Sequence, residues 1–123
     1  MRATVVTITL VSLCSACSGK DSLDSLVCTG EFVPGVVVEV RDSLSGAPLA
    51  QGARGVVREG AFTDSLRPRT VASLQAAGER PGNYTVTVVH SGYAEWVLPG
   101  VQVQHGVCHV RTAIVQALLQ PAP

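Results

Sequence analysis

The feature of this chain that most restricts its fold is a two-residue alternation of apolar and polar side chains. Residues 84–88 read YTVTV, residues 36–40 read VVVEV and residues 101–104 read VQVQ. Successive side chains of a β-strand point to opposite faces, so such segments fit strands with one buried face. A helix would instead repeat its apolar positions every three to four residues. The alternation therefore predicts short, half-buried strands.

Turn-forming residues separate these segments. Residues 42–48 read DSLSGAP and residues 79–83 read ERPGN, both rich in residues that favour tight turns. Residues 71–77 (VASLQAA) leave two interpretations open, one or two helical turns or a loop that crosses between sheets. Seven or so short strands at turn-separated intervals predict an all-β domain. We expect a single small β-sandwich, mostly antiparallel, of the transthyretin-like or immunoglobulin-like kind.

Two further expectations concern the last strand and the sheet edges. The alternation places four residues on one face of the last strand: Cys108, Val110, Thr112 and Ile114. Charged side chains at a sheet edge oppose pairing with other chains. We interpret three arginines in this way: Arg54, Arg58 and Arg111.

The first residues of the chain have the layout of an export signal. A single arginine precedes an uncharged, largely apolar run over residues 3–13, and small residues then lead to Cys17. The run is shorter than the roughly 20 residues that a membrane-spanning helix needs. We therefore predict a signal peptide over residues 1–16. The alternative is that the run is a buried strand of the domain.

Residues 15–17 (SAC) resemble the end of a bacterial lipoprotein signal, in which cleavage leaves a cysteine as the first mature residue. The chain departs from that pattern at Cys14, where leucine is usual. The resemblance implies that Cys17 is acylated and anchors the protein in the cell envelope, and Ser18 implies the outer membrane, facing the periplasm. Residues 17–27 would then be the acylated cysteine and a flexible tether. The alternative is ordinary secretion.

Two of the four cysteines belong to the signal, which leaves Cys28 and Cys108. In an oxidising compartment such a pair predicts one disulfide. It would close a loop of about 80 residues, which the chain-entropy model values at roughly 4–5 kcal/mol. A metal site is the alternative, because His105 and His109 lie near Cys108. That set lacks a fourth ligand, and a strand would send Cys108 and His109 to opposite faces.

No arrangement of residues predicts catalysis. His90, His105 and His109 stand at strand or turn positions with no nucleophile beside a base. The chain also lacks the Gly-x-Ser-x-Gly, His-Glu-x-x-His and phosphate-loop motifs. Nine basic and nine acidic residues cancel without forming a run, which argues against a nucleic-acid partner. We expect a protein that is not an enzyme and that has no cofactor.

The order of the motifs resembles the carboxypeptidase regulatory-like domain, a transthyretin-like (prealbumin-type) β-sandwich. A valine-rich strand ends in Asp42, a turn follows over residues 46–48, and Gly-x-Tyr-x-Val-x-Val occupies residues 82–88. A Gly-Tyr pair stands at residues 92–93, and the likeness covers most of residues 35–114. The resemblance implies a non-catalytic accessory module that assists folding, spacing or contacts with a partner.

These observations predict a non-catalytic envelope lipoprotein with a β-sandwich over residues 28–119 and a tail over residues 120–123. The sandwich would be a structural or protein-interaction module for another envelope protein, with no known small molecule as partner. The alternative is a secreted protein that binds a small ligand or carbohydrate through Tyr93 and Trp96. Exposure of both rings would favour the ligand-binding alternative. Burial of both rings would favour the structural or interaction module. Tyr84 and Trp96 stand at positions where sandwich domains bury large rings, so we expect both to pack in the core.

Overall fold

Nine β-strands form two sheets in the computed structural model, which describes residues 27–123. In chain order the strands are β1 (Val36–Asp42), β2 (Arg54–Glu59), β3 (Phe62–Ser65), β4 (Arg67–Pro68), β5 (Ser73–Ala76), β6 (Gly82–Val89), β7 (Trp96–His105), β8 (Val110–Arg111) and β9 (Ala113–Leu119). Only β4 and β8 are as short as two residues, which leaves the expected seven strands of ordinary length. The predicted signal peptide and the acylation of Cys17 fall outside the described residues.

The strands pack as a two-sheet sandwich. One sheet has the order β4-β5-β1-β9 and the other has the order β3-β2-β6-β7-β8. β1 and β9 pair in parallel, and every other pair of strands is antiparallel. The predicted all-β sandwich with an antiparallel majority is therefore confirmed. Within residues 27–123, no helix is long and apolar enough to cross a membrane.

The alternating segments supply the core, as the sequence predicts. The inward-facing side chains of β1 and β6 are fully buried: Val36, Val38, Val40, Tyr84, Val86 and Val88. Burying one such side chain contributes about 1.5–3 kcal/mol. A one-residue slip of β6 would turn its buried side chains to the partly exposed face. A slip of β1 would place valines where Glu39 and Arg41 are partly exposed, although Val37 on that face is buried. The hydrophobic pattern thus specifies the register of the two central strands.

Tyr84 fixes one end of the core. Its hydroxyl donates to the backbone carbonyl of Arg80 at 2.7 Å and accepts from the Arg80 guanidinium at 2.9 Å. A bond from a tyrosine hydroxyl to the backbone a few residues upstream is the tyrosine corner of β-sandwiches. The guanidinium also lies 3.7 Å from the centre of the Phe62 ring and bonds to Glu59 at 3.0 Å. The bonds to Tyr84 and Glu59 raise the pKa of Arg80, which stays charged.

Residues 71–77 form neither of the two structures that the sequence suggested. Ser73–Ala76 is strand β5, which pairs with β1 on one side and β4 on the other. Ser73 is buried, and its hydroxyl lies 2.7 Å from that of Thr70. The segment contains good helix formers, but the edge of β1 offers backbone partners that an isolated helical turn does not. Tertiary pairing overrides local preference here.

The last predicted strand is divided between the two sheets. β8 pairs with β7, and the chain then crosses at Thr112 to pair with β1 as β9. The Thr112 hydroxyl holds the crossing by donating to the Pro34 carbonyl at 2.7 Å. Val110 is buried, whereas Ile114 is 67% exposed. The prediction that these two residues share a face of one strand is therefore wrong.

Candidate interaction surface

Cys28 and Cys108 form the predicted disulfide, with their Cα atoms 5.2 Å apart. The bridge ties the strap, which we define as residues 28–35, to the turn between β7 and β8. Because the Cys108 sulfur is bonded to Cys28, it is no thiolate ligand for a metal. No three His, Cys, Asp or Glu side chains of residues 27–123 are grouped in a way that could hold a metal ion.

His109 holds the strap beside this bridge. Its Nδ1 lies 2.6 Å from the Glu79 carboxylate, and its Nε2 lies 3.2 Å from the Thr29 hydroxyl. Glu79 also accepts a hydrogen bond from the Val33 backbone at 2.9 Å. The bond from Val33, with a smaller contribution from His109, lowers the pKa of Glu79. These contacts give His109 a structural role between the strap and the β5–β6 connection.

His90 joins two turns. Its Nδ1 lies 2.8 Å from the Ser91 carbonyl and its Nε2 lies 3.2 Å from the Gln51 carbonyl. Each carbonyl belongs to a turn whose next residue, Gly52 or Gly92, has a positive φ of 83° or 84°. That conformation costs glycine little and strains other residues. The ring therefore fastens the β1–β2 loop to the β6–β7 loop. The third histidine, His105, is exposed at the end of β7.

The predicted ligand-binding aromatics are both half-buried and both pack against the core. The Tyr93 hydroxyl donates to the Asp42 carboxylate at 2.7 Å, and its ring meets His90 edge-on with centres 5.2 Å apart. Trp96 lies opposite Val88 in the β6–β7 register. Neither joint exposure nor joint burial is observed. Ligand binding by Tyr93 and Trp96 stays a prediction.

Asp42 is the charge that these contacts hold in place. Its carboxylate accepts from the Tyr93 hydroxyl and from the backbone N–H groups of Ser45 and Leu44. The bond from Tyr93, followed by those two, lowers the pKa of Asp42 to about 2. Next to this network is an open cleft of about 440 Å³, lined by Gly52, Arg54, Val89, His90 and Ser91.

Most sheet edges carry features that oppose pairing with another chain. β4 consists only of Arg67 and Pro68, β3 is four residues long and contains Asp64, and β8 ends in Arg111. Short length, charge and proline are the usual protections of an edge strand. β8 covers only the end of β7, and the rest of that β7 edge is interrupted by Pro99 where the β6–β7 register shifts.

The predicted roles of the arginines are partly corrected. Arg58 lies where β2 is paired on both sides, with Thr63 of β3 and Thr85 of β6, so it does not protect an edge. Arg54 precedes the β2–β3 pairing, which begins at Val56, and is paired only with Val89 of β6. The order of strands in a sheet depends on pairing with distant parts of the chain. The apolar–polar alternation around these arginines therefore does not show whether their strand lies at an edge. Arg111 does lie on the edge strand β8.

β9 is the edge strand that lacks these protections. It is seven residues long, reads AIVQALL, and contains no charge, proline or glycine. On its outer face Ile114 is 67% exposed and Leu118 is 48% exposed, with Gln116 between them. Uncharged segments of this length with apolar residues are the ones that pair readily with other strands. Sequence reasoning missed this surface, although the uncharged run over residues 113–119 was a visible signal.

The hydrogen bonds of β9 show which backbone groups face the free edge. Ala113 donates to the Gly35 carbonyl at 2.8 Å, and the Leu119 carbonyl accepts from Ser43 at 2.9 Å. Both bonds lie on the β1 side. Because direction alternates along a strand, the N–H and C=O groups of the even-numbered residues 114, 116 and 118 point to the other side. No strand within residues 27–123 pairs with them.

The free stretch has defined ends. Before it, β8 is paired with β7. After it, the Gln120 carbonyl accepts from Ala94 at 2.9 Å, and Ala122 donates to the Gly92 carbonyl at 2.9 Å. The open window is therefore β9 itself, Ala113–Leu119, with Gln116 at its centre.

The chain matches no known protein family and none of the curated proteins. The resemblance to the carboxypeptidase regulatory-like domain therefore stays a prediction.

Proposed function

We propose that this protein is a non-catalytic, lipid-anchored envelope protein whose sandwich is a protein-interaction module with β9 as its contact surface. The observation that carries the proposal is the unprotected edge of β9, with exposed Ile114 and Leu118 beside it. Natural sheets normally protect such edges. An open, uncharged edge is suited to addition of a partner strand, in which backbone hydrogen bonds give affinity.

The proposed anchor determines where that surface works. Cys17 precedes Cys28 by 11 positions. At about 3.5 Å per residue, a fully extended tether reaches roughly 40 Å. Acylation of Cys17 would hold the sandwich within that distance of the bilayer. The partners available to β9 would then be proteins of the envelope, including further copies of this chain.

Intact mass and thiol labelling test the two halves of the proposal. The membrane fraction of a bacterial host should contain a species that begins at Cys17 and carries acyl mass. The edge is tested with Gln116→Cys, and Gln102→Cys, exposed on β7, is the matched control. We expect maleimide to label Gln116→Cys several-fold more slowly in envelopes than in dilute purified protein, with no difference for the control. Equal rates in both settings would contradict a contact at β9.

The second candidate function is binding of a small ligand or carbohydrate. The open cleft beside His90 favours it, because Arg54 supplies a cation and Tyr93 an aromatic ring next to the cleft. Titration of Trp96 fluorescence with neutral and acidic oligosaccharides tests this candidate. A saturable change that Arg54→Ala abolishes would support it, and no change with either class would count against it.

A further inference from the structure

We propose that the occupant of the β9 edge is a second copy of this chain, with the two β9 strands antiparallel about a twofold axis at Gln116. The inference rests on the proposed function of β9 as a contact surface and adds the identity of the partner.

The free edge of β9 is complementary to itself. Antiparallel pairing centred on Gln116 sets Ile114 opposite Leu118 of the second copy, and Leu118 opposite Ile114 of the second copy. The two Gln116 side chains then face each other. Every N–H and C=O that residues 114, 116 and 118 direct outward finds a partner in this register. Apolar side chains meet apolar ones and no like charges meet, which are the favourable cross-strand combinations.

The position of the window favours the same arrangement. Gln116 is the middle residue of the seven in β9, so a twofold axis there uses the whole free stretch. An off-centre partner would leave part of the edge unpaired. Closed twofold symmetry is also the commonest form of self-association. A second copy thus fits the edge without any additional segment.

Pairing of the two β9 strands would also join the four-stranded sheets of the two copies into one continuous sheet. Val37 of β1 lies beside Ile114 in the β1–β9 register. In the proposed dimer, Leu118 of the second copy comes next to Ile114, so an apolar row runs from Val37 through Ile114 to that Leu118 and ends at Arg41 on β1 of the second copy. This explains why exposed apolar residues stand on β9. The strand pair is smaller than a standard interface of about 1,600 Å², so we expect weak association in dilute solution.

Site-specific disulfides test the register in the full chain, in membranes of a bacterial host. Residues of a hydrogen-bonded antiparallel pair lie about 5.5 Å apart, within the range that a disulfide spans. Gln116→Cys should therefore give a reducible dimer on mild oxidation. Ile114→Cys alone would place its two thiols four residues apart along the strands, roughly 13 Å. We expect at least about tenfold less dimer from it. Co-expressing Ile114→Cys with Leu118→Cys should restore the crosslink.

The wild-type chain gives the background from its own cysteines, and Gln102→Cys gives the background from random collision. The inference is overturned if Gln116→Cys yields no more dimer than these two. It is also overturned if Ile114→Cys alone crosslinks as well as Gln116→Cys. Slow maleimide labelling of Gln116→Cys without crosslinking would overturn the second copy but keep β9 as a contact surface. Fast maleimide labelling of Gln116→Cys without crosslinking would contradict both the second copy and the role of β9 as a contact surface.

Discussion

Removal of one hydroxyl, in Tyr84→Phe, isolates what the tyrosine corner contributes to stability. Tyr84 is fully buried, and its hydroxyl makes one bond to the Arg80 carbonyl and one to the Arg80 guanidinium. Phenylalanine fills the same space, so the tilted contact with the Phe62 ring, 6.1 Å between centres, is kept. The variant therefore loses hydrogen bonds and little packing.

The loss in the free energy of unfolding depends on which hydrogen bonds the Arg80 carbonyl and the Arg80 guanidinium still make in the variant. A typical hydrogen bond contributes about 0.5–1.5 kcal/mol, and a buried group left without its partner costs about 1–3 kcal/mol. The guanidinium of Arg80 retains Glu59 at 3.0 Å, so most of the loss falls on the Arg80 carbonyl. We expect the variant to be about 2 kcal/mol less stable. At roughly 4–8 °C per kcal/mol for a domain of this size, Tm should fall by roughly 8–16 °C.

Urea unfolding followed by fluorescence measures this directly, because Trp96 is the single tryptophan and packs against the core. The midpoint should fall while the slope stays unchanged. Tyr93→Phe is the matched control and should lose less, since Asp42 keeps two backbone N–H donors. A loss under about 0.5 kcal/mol in Tyr84→Phe would refute the reasoning, because the part-buried Arg80 carbonyl would then have found another partner.

Two further predictions concern a carboxylate and a glycine. Asp42 has a folded pKa of about 2 against an ordinary 3.8, so its contribution to stability is present above that ordinary value and is lost as the pH falls through 2. Asp42→Asn should therefore flatten the dependence of Tm on pH between 5 and 2, and a parallel curve would contradict this. A Cβ at Gly55 would overlap the Thr87 carbonyl of β6, so Gly55→Ala should lose about 1–3 kcal/mol in urea unfolding. Gly30→Ala, where nothing lies within 4 Å, should match the wild type.

The sequence predicted the parts of the fold that local pattern controls. The burial of alternate residues in β1 and β6 follows from a period of two, which each segment shows by itself. The division of the last strand could not be read in this way. The pattern runs on through Thr112, although the chain changes its pairing partner there. Periodicity indicates which face of a strand is buried, but it does not indicate which sheet the strand joins.

The candidate surface shows the same limit. An edge exists only once the strand order is known, and that order depends on pairing between distant segments. Arg58 is a charged residue of the kind that protects an edge, but it stands where β2 is paired on both sides. The real open edge is the run over residues 113–119, whose lack of charge was visible in the sequence. The disulfide was predictable because only two cysteines remained to pair.

The position of the disulfide determines how the sandwich responds to a pull on its N-terminal side. Without the bridge, tension entering at residue 28 would detach the strap first, breaking the Val33–Glu79 and Gly35–Ala77 hydrogen bonds one after another. With the bridge, the load passes covalently from Cys28 to Cys108, at the turn between β7 and β8. The strap and β1 then lie outside the line of force. A domain on a tether can in this way bear traction without being unravelled from its first strand.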